Sequence, residues 1–240
     1  MALPFDQIER ALIITAHPDD VDFGAAGTAA VMTEAGTAVT YCVVTDGDAG
    51  GFDPSILRTE IGGIRRHEQT MAAKEVGVTD LVFLGYPDGY LEASLALRKD
   101  IARVIRQVRP QVVIVQSATR NLDRVYASHP DHLAAGEAAM CAVYPDAQNA
   151  FWYPDLLTDG FQPWTVREVW VMGPAGDTNH IVDITDQLER KIAALRCHVS
   201  QFTEPDAVME RVRSWLVATG ESAGLGSGHS AESFRVVSIG

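Results

Sequence analysis

Ala11-Leu12-Ile13-Ile14-Thr15-Ala16 runs without a break into His17-Pro18-Asp19-Asp20. Six residues of near-continuous apolar character, with no in-out alternation, are the pattern of a strand covered on both faces. Working outward, residues 23–35 have a helical pattern ended by Gly36, and residues 38–45 repeat the buried-strand pattern. The turn-rich Asp46-Gly47-Asp48-Ala49-Gly50-Gly51 follows. Residues 56–76 predict a longer helix ended by Gly77, 80–84 a third strand, and 94–108 a helix stopped by Pro110. A fourth strand is expected over 111–116, then a polar loop and a helix over 132–143. Strand and helix alternating through short connections specify an α/β fold, Rossmann-like, with a mostly parallel sheet flanked by helices.

The last third departs from this rhythm. Residues 151–164 are aromatic and proline-rich and read as an irregular excursion. Residues 166–172 and 180–184 look like further strands, and 185–200 a helix with Thr185 as its N-cap. A second helix is expected over 205–219, a Gly/Ser-rich stretch over 221–230, and a closing strand over 234–239. With no repeat and no linker, residues 1–240 read as a single domain.

Composition narrows the function classes. Of 240 residues, 47% are hydrophobic and 21% charged, which is globular. Nineteen basic against thirty-two acidic residues give a net charge of −13, a balance that repels phosphate backbones and disfavours nucleic acid as a partner. Cys42, Cys141 and Cys197 are too scattered for a disulfide framework or a cysteine-based zinc knot, and each reads as a small buried hydrophobe. Residues 1–10 lack the pattern of a signal peptide, and no apolar stretch is long enough to insert into a membrane. The expected location is cytoplasmic.

Chemistry concentrates in two loops. His17-Pro18-Asp19-Asp20 follows the first strand, where an open parallel sheet builds its ligand crevice. A histidine and a carboxylate three residues apart at a loop-to-helix junction face one point and offer two ligands to a divalent metal. Asp19 adds a carboxylate free for proton transfer. His129-Pro130-Asp131-His132 repeats the arrangement after the fourth strand. The bland reading of either cluster is a helix N-cap, with Asp19 and Asp131 bonding free backbone N–H groups. Two such clusters in equivalent loops supply the two histidines and one carboxylate that zinc sites use. No Gly-x-Gly-x-x-Gly follows the first strand, so Gly24 and Gly27 do not make a dinucleotide site.

Residues 16–20 with Gly24, together with His129-Pro130-Asp131-His132, resemble the signature of the PIG-L/LmbE-type zinc N-deacetylases. The resemblance extends through residues 45–51, Arg65-Arg66-His67-Glu68, residues 84–89 and residues 194–201. It implies a hydrolase that removes an N-acetyl group from an amino sugar or an N-acetylglucosaminyl-inositol-type molecule. It also implies metal ligation by His17, Asp20 and His132, Asp19 as general base, and His129 stabilising or protonating the tetrahedral intermediate. A metal held by one carboxylate and two neutral imidazoles stays net positive and draws the pKa of a water toward roughly 7. Zn2+ suits the set, and Fe2+, Mn2+ and Co2+ accept it. The implied partner is a small N-acylated amino sugar, and a homo-oligomer is compatible with the family.

Other residues carry two readings each. Arg65 either contacts the substrate's polyol or phosphate, as the family implies, or pairs with Glu68 on a helix surface. Asp88 either lines the sugar pocket or is a plain turn aspartate. Asp46 and Asp48 read as loop-ordering, His198 as shaping the site's edge, and His67, His180 and His229 as structural or solvated. Tyr126, three residues before His129, stands near where some members carry an oxyanion-assisting tyrosine. Phe151, Trp152 and Tyr153, with Phe161 and Trp164, either stack on a sugar or pack. The alternatives to the leading function are an amidase acting on a larger thiol-sugar conjugate or antibiotic intermediate, and a protein that binds metal and sugar without hydrolysis.

Overall fold

The computed structural model describes residues 2–173 and 177–239. Strands β1 (Arg10–Thr15), β2 (Ala38–Thr45), β3 (Asp80–Tyr86), β4 (Val112–Gln116) and β5 (Glu168–Met172) are parallel. Strand β6 (His180–Asp183) is antiparallel to β7 (Ala231–Ser238), which is itself antiparallel to β5. The sheet order is β3-β2-β1-β4-β5-β7-β6, a single α/β layer system with one mixed edge.

Both faces of β1 are buried. Ala11 and Ile13 join one apolar cluster, Leu12 and Ile14 the other. The first cluster is closed by helices α2 (Ala26–Glu34), α3 (Arg58–Glu75), α7 (Leu188–Arg196) and α8 (Pro205–Ser222), the second by α4 (Leu95–Val108) and α5 (Pro130–Cys141). Two-sided cover is why the strand reads as an unbroken apolar run rather than an alternating one. Among the described residues no helix is long and apolar enough to cross a membrane.

The expected helix over 23–35 is two helices, α1 (Asp20–Gly24) and α2, broken at Ala25. A buried ion pair fills the break. Lys191 Nζ donates to the carbonyls of Asp22 (2.8 Å) and Phe23 (2.7 Å) and to Glu232 Oε1 (2.7 Å). The Glu232 carboxylate accepts from Gly27 N (3.0 Å) and Thr28 N (2.7 Å). A cation thus sits on the carbonyl end of one helix and an anion on the amide end of the next, the favourable arrangement at each terminus.

Three further expectations change. Thr185 is not a helix cap: its N–H is taken by Asp183 Oδ1 (2.9 Å), residues 185–187 form a 3-10 turn, and α7 stops at Arg196. Within 151–164 a short helix α6 (Pro154–Thr158) forms. This segment packs at the amino-terminal end of β4, with Trp164 Nε1 donating to Pro110 O (2.7 Å) and Arg106 Nη2 to Trp152 O (3.0 Å). Phe151 is left 89% exposed, Tyr153 OH donates to Leu95 O (3.2 Å), and none of these aromatics lines the cavity that holds His17, His129 and His132, so they do not form a sugar wall there. All three cysteines are free, but only Cys42 is fully buried.

Candidate active site

Strand order brings the two histidine clusters together. From β1 the chain winds outward through β2 and β3, then returns to place β4 on the other side of β1. The crevice outside the carboxyl ends of β1 and β4 is therefore the topological switch point. The pair is in register as far as Ile14 opposite Val115, and Ala16 N donates to Gln116 Oε1 (2.8 Å). Helix α5 lies tight against the end of β4. A Cβ on Gly136 would stand 2.4 Å from Gln116 O, so glycine permits the approach that carries His132 inward.

Three groups converge there. His17 Nδ1 and His132 Nε2 are 3.3 Å apart, and the Asp20 carboxylate bridges them, 3.3 Å from His17 Nδ1 and 3.0 Å from His132 Nε2. Ring-nitrogen donors of His17, His129 and His132 also lie within 4.8 Å of one another. On its other side, His17 Nε2 is 3.0 Å from Asp88 Oδ1 and 3.2 Å from Asp131 Oδ2. Asp131 is fixed by Gly89 N (2.7 Å) and Leu91 N (3.3 Å), and Asp88 by Ala49 N (3.2 Å). These carboxylates take the Nε2–H, which turns Nδ1 toward His132 and Asp20. Burial alone would lower the pKa of His17, but Asp131, Asp20 and Asp88 overcome it and push the imidazole up to about 12. Three carboxylates around one imidazole make a place for added positive charge. With two nitrogens and one oxygen converging, the set fits a divalent ion.

Asp19 has φ 89°, in the left-handed region that favours glycine. Two side chains of α3, one turn apart, hold it. Gln69 Oε1 accepts the Asp19 N–H (2.8 Å), and Arg65 Nη2 is 3.2 Å from Asp19 Oδ2. Gln69 Nε2 donates to Asp22 Oδ2 (2.8 Å), which His198 Nε2 also contacts (2.8 Å), all three buried. Burial pushes the Asp19 carboxyl up, Arg65 pulls it down and Asp20 pushes it up again, leaving it at about 6.

Arg65 is 4% exposed and turned into the chain, donating to Pro18 O and to Gly47 O (2.9 Å) as well as reaching Asp19. A side chain at Gly47 would meet its guanidinium at 2.4 Å. Glu68 does not pair with it; Ser200 N (2.8 Å) and Oγ (2.7 Å) donate to Glu68 instead. Asp48 orders the loop as expected, accepting from Asp88 N (2.8 Å) and Arg58 Nε (2.6 Å), and Asp46 accepts from Arg66 Nε (2.8 Å). His198 lies beneath the site rather than at its edge, and His229 pairs with Asp183 (2.8 Å).

His129 is the N-cap of α5. Its Nδ1 accepts the Asp131 N–H (3.2 Å), so the ring's proton belongs on Nε2. Burial and the neighbouring His17 hold its pKa below the usual histidine value. His129, His132, Asp19, Asp20, Arg65 and Asp88 line one cavity of about 370 Å3. The side chain of Tyr126 lies outside the described residues. Sequence reasoning assigned no role to Gln69 or Asp131 beyond a cap. The four-residue spacing of Arg65 and Gln69, which puts both on one helix face, was the available signal.

Fold and site together define a doubly wound α/β protein with a histidine–aspartate cluster at its switch point. The profile of the PIG-L family, described as GlcNAc-PI de-N-acetylase, matches residues 12–143, and the chain belongs to that family. It is 33% identical over 235 residues to the diacetylchitobiose deacetylase of Thermococcus kodakarensis, covering 98% of this chain and 85% of that one. It is 28% identical to a 1D-myo-inositol 2-acetamido-2-deoxy-alpha-D-glucopyranoside deacetylase of Kineococcus radiotolerans, over 87% of this chain and 73% of that one. The solved N,N'-diacetylchitobiose deacetylase of Pyrococcus horikoshii, complexed with its inhibitor MPG, superposes with a TM-score of 0.89 at 31% identity, covering 98% of this chain and 86% of that one.

Proposed function

We propose that this protein is a metal-dependent hydrolase that removes the N-acetyl group from an N-acetylglucosamine unit carried by a small glycoside, and that residues 1–240 work as one domain. The observation that carries the reading is the convergence of His17 Nδ1, Asp20 and His132 Nε2 within 3.0–3.3 Å in a cavity also lined by Asp19 and His129. Relatives named as deacetylases of diacetylchitobiose and of an inositol 2-acetamido-2-deoxy-glucopyranoside support the substrate class. His17, Asp20 and His132 would hold the metal, and zinc suits two nitrogens and one oxygen best. The ion supplies Lewis acidity toward an amide carbonyl and makes a water more acidic.

The chain's own residues do the rest. Asp19, held by Gln69 and Arg65, takes the proton of the attacking water and delivers it to the departing amine. His129 acts as a neutral donor: with Nδ1 already accepting a backbone N–H, its Nε2–H is the group left to bond the developing oxyanion. Asp88 and Asp131 fix the tautomer of His17. Arg65 is principally a positioning residue, with one edge on the cavity. The free cysteines fit a cytoplasmic setting.

Acetate release from N-acetylglucosamine, diacetylchitobiose and N-acetylglucosaminyl-inositol tests the reading. We expect turnover that stops on chelation and returns with Zn2+. Metal content measured directly should fall to nothing in His17→Ala and persist in Asp19→Asn. A metal-free chain that still releases acetate overturns it.

A further inference from the structure

Gly50 lines a second cavity, of about 400 Å3, as well as the catalytic one. Three segments build it. The loop after β2 supplies Phe52, Pro54 and Ile56, helix α3 supplies Ile61 and Ile64 from one face, and Phe202 follows the turn at residues 199–201. That turn is anchored to α3 through Ser200 and Glu68. The polar side chains in the lining are largely committed: Asp53 Oδ1 accepts from Ser55 N and Oγ, and Ser200 Oγ donates to Glu68. What faces the space is apolar, yet Phe52 is 65% exposed and Ile64 37%. Large apolar side chains left open beside a catalytic cavity mark a binding surface.

Resting on the deacetylase reading above, we propose that this groove is a subsite for an apolar aglycone, the group attached to the sugar that carries the acetamide. Ala49 and Gly50 also border the polar cavity lined by Asp19, Asp20, Asp88 and His129, where sugar hydroxyls would find polar partners. The sugar ring therefore occupies the polar stretch between the histidine–aspartate cluster and Gly50. The ring's glycosidic substituent then projects past Gly50 onto Phe52, Ile61, Ile64 and Phe202. A flat aromatic or short hydrocarbon aglycone matches this lining better than a polyol.

The test compares kcat/KM for methyl, 4-nitrophenyl and N-acetylglucosaminyl β-glycosides of N-acetylglucosamine, using wild type, Phe52→Ser and Ile64→Ser. Both positions are solvent-exposed, and circular dichroism of each variant serves as the check on folding. We expect wild type to favour the nitrophenyl over the methyl glycoside by about tenfold or more, and each variant to bring that ratio towards one. Deacetylation of the methyl glycoside with no aryl preference, or a preference untouched by both substitutions, overturns the subsite while leaving the deacetylase reading intact. Turnover of none of the three overturns the deacetylase reading and the subsite with it.

Discussion

Asp19, the proposed proton carrier, has a backbone conformation that favours glycine, and Gln69 accepts its N–H from the neighbouring helix. Holding a residue at positive φ costs on the order of 1–3 kcal/mol and requires the surroundings to fix it. Gln69→Ala should therefore lower kcat about 10–100-fold, with KM and metal content little changed. Asp22→Asn, which keeps an acceptor for Gln69 and His198, should retain most activity. Equal losses in both variants would show that Gln69 acts through stability alone. At His129, the capping bond to Nδ1 predicts a neutral donor, so His129→Gln should lower kcat while the alkaline limb of the pH–kcat profile persists. Disappearance of that limb would make His129 the acid. His17, Asp19, Asp20, His129 and His132 were legible in sequence because they crowd into two short motifs. Gln69 and Asp131 were not, since each acts by bonding a loop that only the fold brings near: Asp131 reaches Gly89, forty-two positions away.

At the scale of elements, the break between α1 and α2 is what aims Asp20 and Asp22 while α2 runs on over the sheet. The residues that stabilise it, Lys191 and Glu232, come from the far end of the chain, so periodicity alone read one helix. Both are essentially without solvent exposure. Lys191→Met leaves Glu232 without its cation and two helix-end carbonyls without a donor. It should lower unfolding free energy by about 3–5 kcal/mol in denaturant titration. A loss under 1 kcal/mol would mean that the pair does not define the break. Strands were more legible than helix ends, because β1, β2 and β4 are buried on both faces and their composition says so. The antiparallel insertion of β7 between β5 and β6 was not legible, because a strand's direction leaves no mark in its own composition.

For the whole molecule, a net charge of −13 conceals a local arrangement in which Asp20, Asp88 and Asp131 surround His17. These carboxylates, working against burial, hold His17 protonated through the neutral range, so metal must displace that proton in order to bind. Metal affinity should accordingly rise with pH, about tenfold per unit for each proton released, and calorimetry in buffers of different ionisation enthalpy should register the release. Affinity independent of pH between 6 and 8 would place the metal elsewhere. The central claim is that the cluster of His17, Asp20 and His132 binds the metal on which acetate release depends. It is tested most directly by measuring metal content and acetate release together on wild type, chelated and zinc-restored protein and on His132→Ala. The account predicts that the two fall and return together, and that His132→Ala lacks both. Acetate release from protein free of metal, or full metal content in His132→Ala, would contradict it.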